Sequence, residues 1–286
     1  MEHELDLPGR GRLTVRDTAG PAGAPVLVLL HGVTLDGELN WSAIRPALSR
    51  HHRVLTLDLR GHGRGLPARS PYRLEDCADD VAAVVEALGT GPVVPVGYSM
   101  GGMVAQLVWQ RHPAVTAGLV LCSTSRNVAG TLWEQSLSWG MPAAVAATRW
   151  TRWVPPLLAE WLPVGADSIA GHLLDADLDP AARKAALAQM RRVPLAVALD
   201  AMHAVSTFSS HRWIGSVDVP TSVVVTRHDR VVAPHRQRRL AACVPGATLI
   251  EIDGDHGVFS ADPDGLLDGL LRACAAVTGR SQPNAA

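Results

Sequence analysis

Short apolar runs alternate with helical patterns along most of this chain, and that alternation constrains the fold more than any other feature. Six of the runs are apolar enough to be strands of a parallel sheet that is covered on both faces. They span residues 26–30, 53–57, 93–96, 117–122, 222–226 and 247–252. An alternating order of strands and helices is typical of a doubly wound sheet. We therefore expect an α/β fold with a doubly wound, mostly parallel sheet.

Two further strands and five helices complete the predicted elements of the core. Residues 2–7 and 12–17 flank a Pro8-Gly9 turn and predict a β-hairpin. Helices are predicted over residues 41–50, 74–88, 101–111, 234–243 and 263–277. The second of these has the clearest pattern, because its apolar residues recur at 4-3-4-3 spacing and mark one face of a helix.

The alternation breaks over residues 126–211, where helical stretches are separated by prolines and no strand is indicated. We expect this segment to form a helical cap, inserted after the sixth strand of a core domain that spans 1–125 and 212–278. Within the segment, Asp179 and Pro180 are suited to the N-cap and the first position of a helix.

The amino-acid composition argues against several classes of function. Apolar residues make up 47% of the 286 positions and charged residues 19%, as in compact globular proteins. The 26 basic and 27 acidic residues nearly cancel, so there is no electrostatic reason to expect binding to nucleic acid or to an anionic membrane. No apolar run approaches the ~18 residues of a membrane span, and the N-terminus does not resemble a secretory signal. We therefore expect a cytoplasmic protein, with a disordered polar tail at 279–286.

Residues that could bind a metal or a cofactor form no recognisable motif. Cys77, Cys122, Cys243 and Cys274 are scattered and include no C-x-x-C pair, which predicts reduced thiols and neither a disulfide frame nor a zinc site. The glycine-rich stretches lack the spacing of a phosphate-binding or dinucleotide-binding loop. We expect no metal and no cofactor.

The strongest local signal is the pentapeptide GYSMG at 97–101, which lies between an apolar run and a helical segment. The string alone arises easily by chance, but at a strand–turn–helix junction it is typical of a turn that presents a nucleophilic serine. Such a tight turn needs Gly97 and Gly101, because a Cβ at either position would collide across it. The sequence therefore predicts Ser99 as a nucleophile, and the alternative is an ordinary turn with a structural serine.

A serine hydroxyl needs a general base, which should follow later in the chain. His256 lies in a loop between the last predicted strand and the last predicted helix, where it would overhang Ser99. His228 and His235 are rivals for this role, but both lie close in sequence to the acid candidate described next. We predict His256 as the base.

The base in turn needs a carboxylate that orients it. Asp229 follows the strand at 222–226, whereas no carboxylate follows the strand at 117–122. Asp255 is adjacent to His256 in sequence, but neighbouring side chains on an extended loop diverge. We therefore predict Asp229 as the acid, with Asp255 as the alternative.

Attack on a carbonyl also needs donors for the oxyanion that develops. One candidate is the backbone N–H of Met100, directly after the nucleophile. The other is the N–H of Val33, in the loop after the strand at 26–30. His31 in the same loop is predicted to brace the loop and not to act as a base.

Together these motifs resemble the α/β-hydrolase superfamily from about residue 12 to residue 277, with the catalytic residues in the order Ser, Asp, His. The resemblance rests on the His31-Gly32 loop, DLRGHG at 58–63, GYSMGG at 97–102, Asp229 and GDHG at 254–257. It implies a cofactor-free hydrolase. Residues 99–106 are similar to small-molecule esterases and to 3-oxoadipate enol-lactonases. They depart from epoxide hydrolases and haloalkane dehalogenases, which have Asp at the nucleophile position.

The leading hypothesis is a serine hydrolase that cleaves an ester, lactone or thioester of a mostly apolar small molecule through an acyl-enzyme. The same triad would also serve acyl transfer, C–C bond hydrolysis or perhydrolysis, and a non-catalytic ligand-binding protein on this fold is a third hypothesis. Candidate substrate-binding residues in the cap are Leu199 and Met202, on one face of a predicted helix, together with Trp133 and Trp139. Nothing in the sequence indicates an oligomeric state.

Overall fold

The structure of the chain is a computed structural model, and it describes residues 1–69, 71–128 and 180–279. The strands in these residues are β1 (Glu2–Leu7), β2 (Gly11–Thr18), β3 (Val26–Leu30), β4 (Arg53–Leu57), β5 (Val94–Tyr98), β6 (Leu119–Cys122), β7 (Thr221–Thr226) and β8 (Thr248–Ile252). The α-helices are α1 (Gly37–Trp41), α2 (Arg45–Leu48), α3 (Leu74–Leu88), α4 (Met100–Arg111), α5 (Pro180–Met190), α6 (Leu195–Thr207), α7 (Pro234–Cys243), α8 (Val258–Ala261) and α9 (Pro263–Thr278).

The described strands form one sheet in the order β1-β2-β4-β3-β5-β6-β7-β8. The β1–β2 and β2–β4 pairs are antiparallel, and the remaining pairs are parallel. This confirms the predicted α/β fold with a mostly parallel sheet. Because parallel strands point the same way, the carboxyl ends of β3, β5, β7 and β8 meet along one edge of the sheet, where such folds bind ligands.

The two faces of the sheet contribute to two apolar clusters. Along β3, Leu27 and Leu29 belong to one cluster, and Val28 and Leu30 belong to the other. Apolar residues of α3 and α4 join the cluster of Val28, whereas those of α9 join the cluster of Leu27. Since successive side chains of a strand point to opposite faces, this two-sided burial explains the uninterrupted apolar run at 26–30.

One predicted helix is wrong as a single element. In place of a helix over 41–50, the structure has α1 and α2, with a break after Trp41. The side chain of Asp36 accepts the Leu39 N–H at 2.8 Å, so this N-cap begins α1 earlier than predicted. Pro46 lies in the first turn of α2, where its missing N–H suits the start of a helix and not its interior.

Residues 126–211, the predicted cap, follow β6, the sixth strand, and their assignment as a cap stays a prediction. The described residues of this segment contain α5, α6 and one isolated antiparallel bridge between Asn127 and Ser209. The helix predicted to begin at Pro180 is α5, and Asp179 lies outside the described residues. The Ser210 N–H donates to the Arg126 carbonyl at 2.8 Å, so the two ends of the segment lie side by side.

All four cysteines are free thiols, in agreement with the prediction. Cys77, Cys122 and Cys274 are buried, and burial raises the pKa of each of these thiols to about 12. Thiols with such pKa values stay protonated and behave as small apolar side chains.

Candidate active site

Ser99 lies in the turn between β5 and α4, in the left-handed region with φ 52° and ψ −116°. Its N–H donates to the Cys122 carbonyl at 2.9 Å, and its own carbonyl accepts from Thr124 Oγ1 at 2.8 Å. A Cβ on Gly97 would overlap the carbonyl of Gly101, so glycine is required there. The chain therefore has the strand–turn–helix junction that the pentapeptide predicted, and bonds from neighbouring residues hold the strained serine in place.

His256 lies in the loop between β8 and α8 and contacts both other members of the predicted triad. Its Nε2 is 3.0 Å from Ser99 Oγ, and its Nδ1 is 2.9 Å from Asp229 Oδ2. Because an ionised carboxylate only accepts hydrogen bonds, we assign the proton to Nδ1, which leaves Nε2 able to accept the serine proton. One hydrogen-bonded chain thus joins Ser99 to His256, 157 positions later in the sequence, and His256 to Asp229.

Asp229 follows β7, and its side chain is completely buried. Among the described residues its carboxylate has five donors at 2.7 to 3.0 Å, namely the N–H groups of Val231 and Val232, Thr226 Oγ1, Gln237 Nε2 and His256 Nδ1. Removal from water disfavours a charged carboxylate unless donors replace the lost water. The five bonds supply that replacement and fix the direction of the carboxylate.

The rival candidates occupy other positions. Asp255 Oδ1 accepts the backbone N–H groups of His256 at 2.7 Å and Arg230 at 2.8 Å, and the carboxylate pairs with the Arg230 guanidinium. Burial acts to raise the pKa of Asp255, but these bonds outweigh it and hold the pKa below its usual value. His228 and His235 are exposed. Asp255 thus contacts the backbone of His256 and not its imidazole. Neither His228 nor His235 takes the place of His256 beside Asp229.

The two predicted oxyanion donors lie beside the serine. Met100 is the first residue of α4, where an N–H has no partner within the helix. Val33 follows Gly32, and a Cβ built on Gly32 would lie 3.5 Å from the Cβ of Ser99. Within the described residues, the N–H groups of Val33 and Met100 make no hydrogen bond. Their role as donors stays a prediction.

His31 braces the loop that carries Val33, as predicted. Its Nδ1 donates to the Gly32 carbonyl at 2.7 Å, and its Nε2 accepts the Leu59 N–H at 2.9 Å. His62 ties the same loop from the other side, because its Nε2 accepts the Thr34 N–H at 3.3 Å. Burial lowers the pKa of His31, and burial together with the nearby His31 lowers the pKa of His62 to about 3. Both rings are therefore neutral, and their hydrogen bonds join the loops that follow β3 and β4.

With this geometry in place, comparison with known proteins decides the family. A family model described as alpha/beta hydrolase fold matches residues 25–263. The chain belongs to the α/β-hydrolase fold family. It is therefore an α/β-hydrolase, as its motifs predicted.

Relatives of this α/β-hydrolase include proteins that match along most of its length. It is 30% identical over 261 residues to the magnesium-chelatase 30 kDa subunit of Rhodobacter capsulatus, a match that covers 88% of this chain and 87% of that protein. It is 26% identical to the pimeloyl-[acyl-carrier protein] methyl ester esterase of Xanthomonas campestris pv. campestris, over 88% of this chain and 96% of that protein. Several other curated relatives match over less than two fifths of their own length.

A solved structure shows the same fold. The enol-lactonase from Burkholderia xenovorans LB400 superposes with a TM-score of 0.75 at 23% identity, covering 94% of this chain and 98% of that chain. At this identity the likeness establishes the shared architecture, and the chemistry has to be argued from the residues of the α/β-hydrolase itself.

The predicted substrate-binding residues are only partly described. Leu199 and Met202 lie on α6, where Leu199 is 4% exposed and Met202 is half-buried. Leu199 belongs to neither of the two apolar clusters that the described residues form. Trp133 and Trp139 lie outside the described residues. The assignment of these four residues to a substrate pocket stays a prediction.

In the part of the chain that the structure describes, no group of three or more His, Cys, Asp or Glu side chains is placed to hold a metal ion. No helix among those residues is long and apolar enough to cross a membrane.

Sequence reasoning missed two residues that bind the Asp229 carboxylate, Thr226 and Gln237. Gln237 is completely buried on α7, three and four residues before the buried Leu240 and Ala241. That spacing places it on the inner face of a helix that the sequence did predict. A polar residue at an inward-facing position, eight residues after a candidate acid, is the signal that could have found it.

Proposed function

We propose that Ser99, His256 and Asp229 form a catalytic triad that hydrolyses an ester, lactone or thioester bond of a mostly apolar small molecule. One observation carries the proposal: His256 bridges the other two residues, with contacts of 3.0 Å to Ser99 Oγ and 2.9 Å to Asp229 Oδ2. A hydroxyl bonded to an imidazole that is itself oriented by a carboxylate is the arrangement that activates a serine for acyl transfer. The esterase name of a full-length relative supports the same chemistry.

The proton path follows from the hydrogen bonds. As Ser99 Oγ attacks the carbonyl carbon, His256 Nε2 takes the hydroxyl proton, and Asp229 stabilises the imidazolium that results. The carbonyl oxygen becomes an oxyanion between the N–H groups of Met100 and Val33. When the tetrahedral intermediate collapses, the bond to the leaving group breaks and Nε2 returns the proton to it. Water then repeats these steps on the acyl-enzyme and releases the acid.

The segment 126–211 is proposed as the cap that covers this site. Two contacts support the proposal. The ends of the segment lie together at the Ser210–Arg126 hydrogen bond, as an inserted unit requires. In addition, Gln189 of α5 donates to both carboxylate oxygens of Asp36, at 2.7 and 2.6 Å, and so ties the segment to the loop after β3. An apolar cap surface, including Leu199 and Met202, would favour apolar acyl groups.

Covalent labelling tests the proposed nucleophile. A fluorophosphonate probe is expected to add once to the wild type and not at all to Ser99→Ala, as read by intact-mass spectrometry. The Ser99→Ala change is also expected to lower kcat for p-nitrophenyl acetate by at least about 10⁴-fold. Ser222→Ala is the matched control, because this buried hydroxyl on β7 bonds to the Ala273 carbonyl of α9. A wild type that hydrolyses the ester without becoming labelled would contradict the assignment of Ser99.

A further inference from the structure

Gln237 makes a set of hydrogen bonds that an apolar side chain could not replace. Its Nε2 lies 3.0 Å from Asp229 Oδ2, 2.7 Å from the Val232 carbonyl and 3.0 Å from Thr226 Oγ1. Its Oε1 accepts the backbone N–H of Thr226 at 3.1 Å. The residue has no exposed surface. A buried amide destabilises a protein unless its polar atoms are bonded, and both ends of this one are.

The orientation of the amide is determined by its backbone partners. The Val232 carbonyl only accepts, so the nearby amide atom has to be Nε2, and the Thr226 N–H only donates, so its partner has to be Oε1. A flipped amide would bring Oε1 against both the Val232 carbonyl and Asp229 Oδ2, which are acceptors. Gln237 is therefore held with its N–H groups towards the Asp229 carboxylate.

The oxygen that Gln237 contacts is the one that bonds to His256. Asp229 Oδ2 accepts from Gln237 Nε2, from Thr226 Oγ1 at 2.8 Å and from His256 Nδ1 at 2.9 Å. Oδ1 is held separately by the two backbone N–H groups that follow in the chain. Without donors on Oδ2, the carboxylate could turn about its Cβ–Cγ bond, and the direction of the imidazole would follow it.

We propose that Gln237 is a positioning residue of the triad. From α7, a helix that carries no catalytic group, it holds Asp229 Oδ2 in the direction of His256 Nδ1. The inference rests on the proposed function, since it gives Asp229 the role of the orienting acid. Gln237 does not contact the substrate. Its effect on the reaction is transmitted through the direction of the carboxylate and the imidazole.

The main test is Gln237→Met, which keeps a side chain of similar length and removes every hydrogen bond. A misalignment of catalytic groups by about 1 Å can cost about 100-fold in rate, so we expect kcat for p-nitrophenyl acetate to fall by about 10- to 100-fold. KM is expected to change by less than about threefold, because the acyl pocket is untouched. Ser222→Ala, which also removes a buried hydrogen bond, should keep both constants near the wild-type values. A Gln237→Met variant with kcat within twofold of the wild type, or losses that Ser222→Ala shares, would overturn the proposal.

A second variant, Gln237→Glu, covers the case in which Gln237→Met does not fold. The glutamate side chain has nearly the same shape as glutamine and retains an acceptor for the Thr226 N–H. It replaces the amide nitrogen, which lies 3.0 Å from Asp229 Oδ2, by a carboxyl oxygen. Two carboxyl groups this close cannot both be ionised at little cost. Other titratable groups around the network are His256, bonded to Oδ2, and the Asp255–Arg230 pair, bonded to the His256 backbone. Tyr98 and Cys122 also lie near Asp229, and burial together with the charge of that carboxylate raises the pKa of each.

We therefore expect kcat of Gln237→Glu to fall relative to the wild type as the pH rises into the alkaline range, where the shared proton is lost. A wild-type pH profile for this variant would also overturn the proposal. A wild type that neither hydrolyses esters nor reacts with the fluorophosphonate contradicts the proposed function. An active wild type with an equally active Gln237→Met contradicts only the role of Gln237.

Discussion

Two aspartates bind His256, and they bind different parts of it. Asp229 Oδ2 accepts from the imidazole Nδ1 at 2.9 Å, whereas Asp255 Oδ1 accepts from the backbone N–H at 2.7 Å. Only the first contact acts on the group that gains charge during the proposed reaction. The second fixes the loop and links it, through Arg230, to the loop that carries Asp229.

Substitution of each aspartate by asparagine separates these roles. Asp229→Asn would place an amide against Nδ1 and favour the wrong tautomer, so we expect kcat to fall by about 10⁴-fold. Asp255→Asn keeps an acceptor for the His256 N–H and loses the ion pair with Arg230, so its effect on kcat is expected to be much smaller. Steady-state kinetics on one activated ester, with circular dichroism to check folding, measure both. The reverse ranking would assign the role of the acid to Asp255.

Some site residues could be predicted from the sequence and others could not. Ser99, Asp229 and His256 each follow a strand at the carboxyl edge of a parallel sheet, and residues far apart in the chain meet at that edge. The Gln237 contact instead depends on how α7 packs against β7. Tyr98 likewise donates to the His256 carbonyl, a bond that joins the end of β5 to the loop after β8 and that no local pattern indicates.

At the scale of elements, periodic segments were predicted more accurately than short irregular ones. The bounds of α3 and α7 agree with the sequence patterns at 74–88 and 234–243. The segment at 41–50 differs, because a side-chain cap at Asp36 and the position of Pro46 decide where its two short helices begin. Capping bonds act within one turn and leave no periodic trace, so the periodic pattern at 41–50 gave no sign of the cap at Asp36.

Helix α6 carries the test of the proposed acyl pocket. Leu199 is almost completely buried, so the half-buried Met202 is the safer position for a larger side chain. If Met202 lines the pocket, Met202→Trp should reduce kcat/KM for octanoate esters more than for acetate esters. A buried CH₂ contributes roughly 0.8 kcal/mol to binding, so each methylene of the acyl chain that loses its contact should lower kcat/KM by about fourfold.

Two controls accompany this substitution. The rate of Ser99 labelling by a small fluorophosphonate should stay near that of the wild type, because the site of bond formation is unchanged. Thr207→Trp, at an exposed position near the end of the same helix, should leave the chain-length preference as it is. Equal losses on acetate and octanoate esters would show that Met202 supports the fold and does not contact the acyl chain.

At the scale of the whole molecule, the sheet brings the proposed triad together. Ser99 follows β5, Asp229 follows β7 and His256 follows β8, and these strands are parallel members of one sheet. The sequence predicted the strands and the parallel arrangement, since uninterrupted apolar runs alternate with helices. It did not predict the order β1-β2-β4-β3-β5, which depends on how the helices between strands pack on either face.

The buried histidines His31 and His62 link the stability of the whole molecule to pH. Burial lowers the pKa of His31, and burial with the nearby His31 lowers the pKa of His62 to about 3. In the unfolded chain a histidine titrates near 6.5. Between about pH 6.5 and pH 3 the unfolded chain therefore binds a proton that the folded protein does not take up at His62. Stability must fall as the pH falls through this range.

We expect the free energy of unfolding to decrease below pH 6.5 by up to about 1.4 kcal/mol per pH unit for His62 alone, with a further decrease from His31. His62→Gln keeps one donor and one acceptor for the same loops and cannot be protonated in this range, so its stability should depend less steeply on pH. Urea unfolding at pH 8.5, 8, 6.5, 5.5 and 4.5 measures both proteins. The difference between their free energies of unfolding should be the same at pH 8.5 and pH 8, where His31 and His62 are neutral in the folded and unfolded states. Below pH 6.5 the free energies of unfolding of the two proteins should converge, because only the wild type has a histidine at position 62 that takes up a proton on unfolding. Parallel curves down to pH 4.5 would show that His62 takes up its proton in the folded protein.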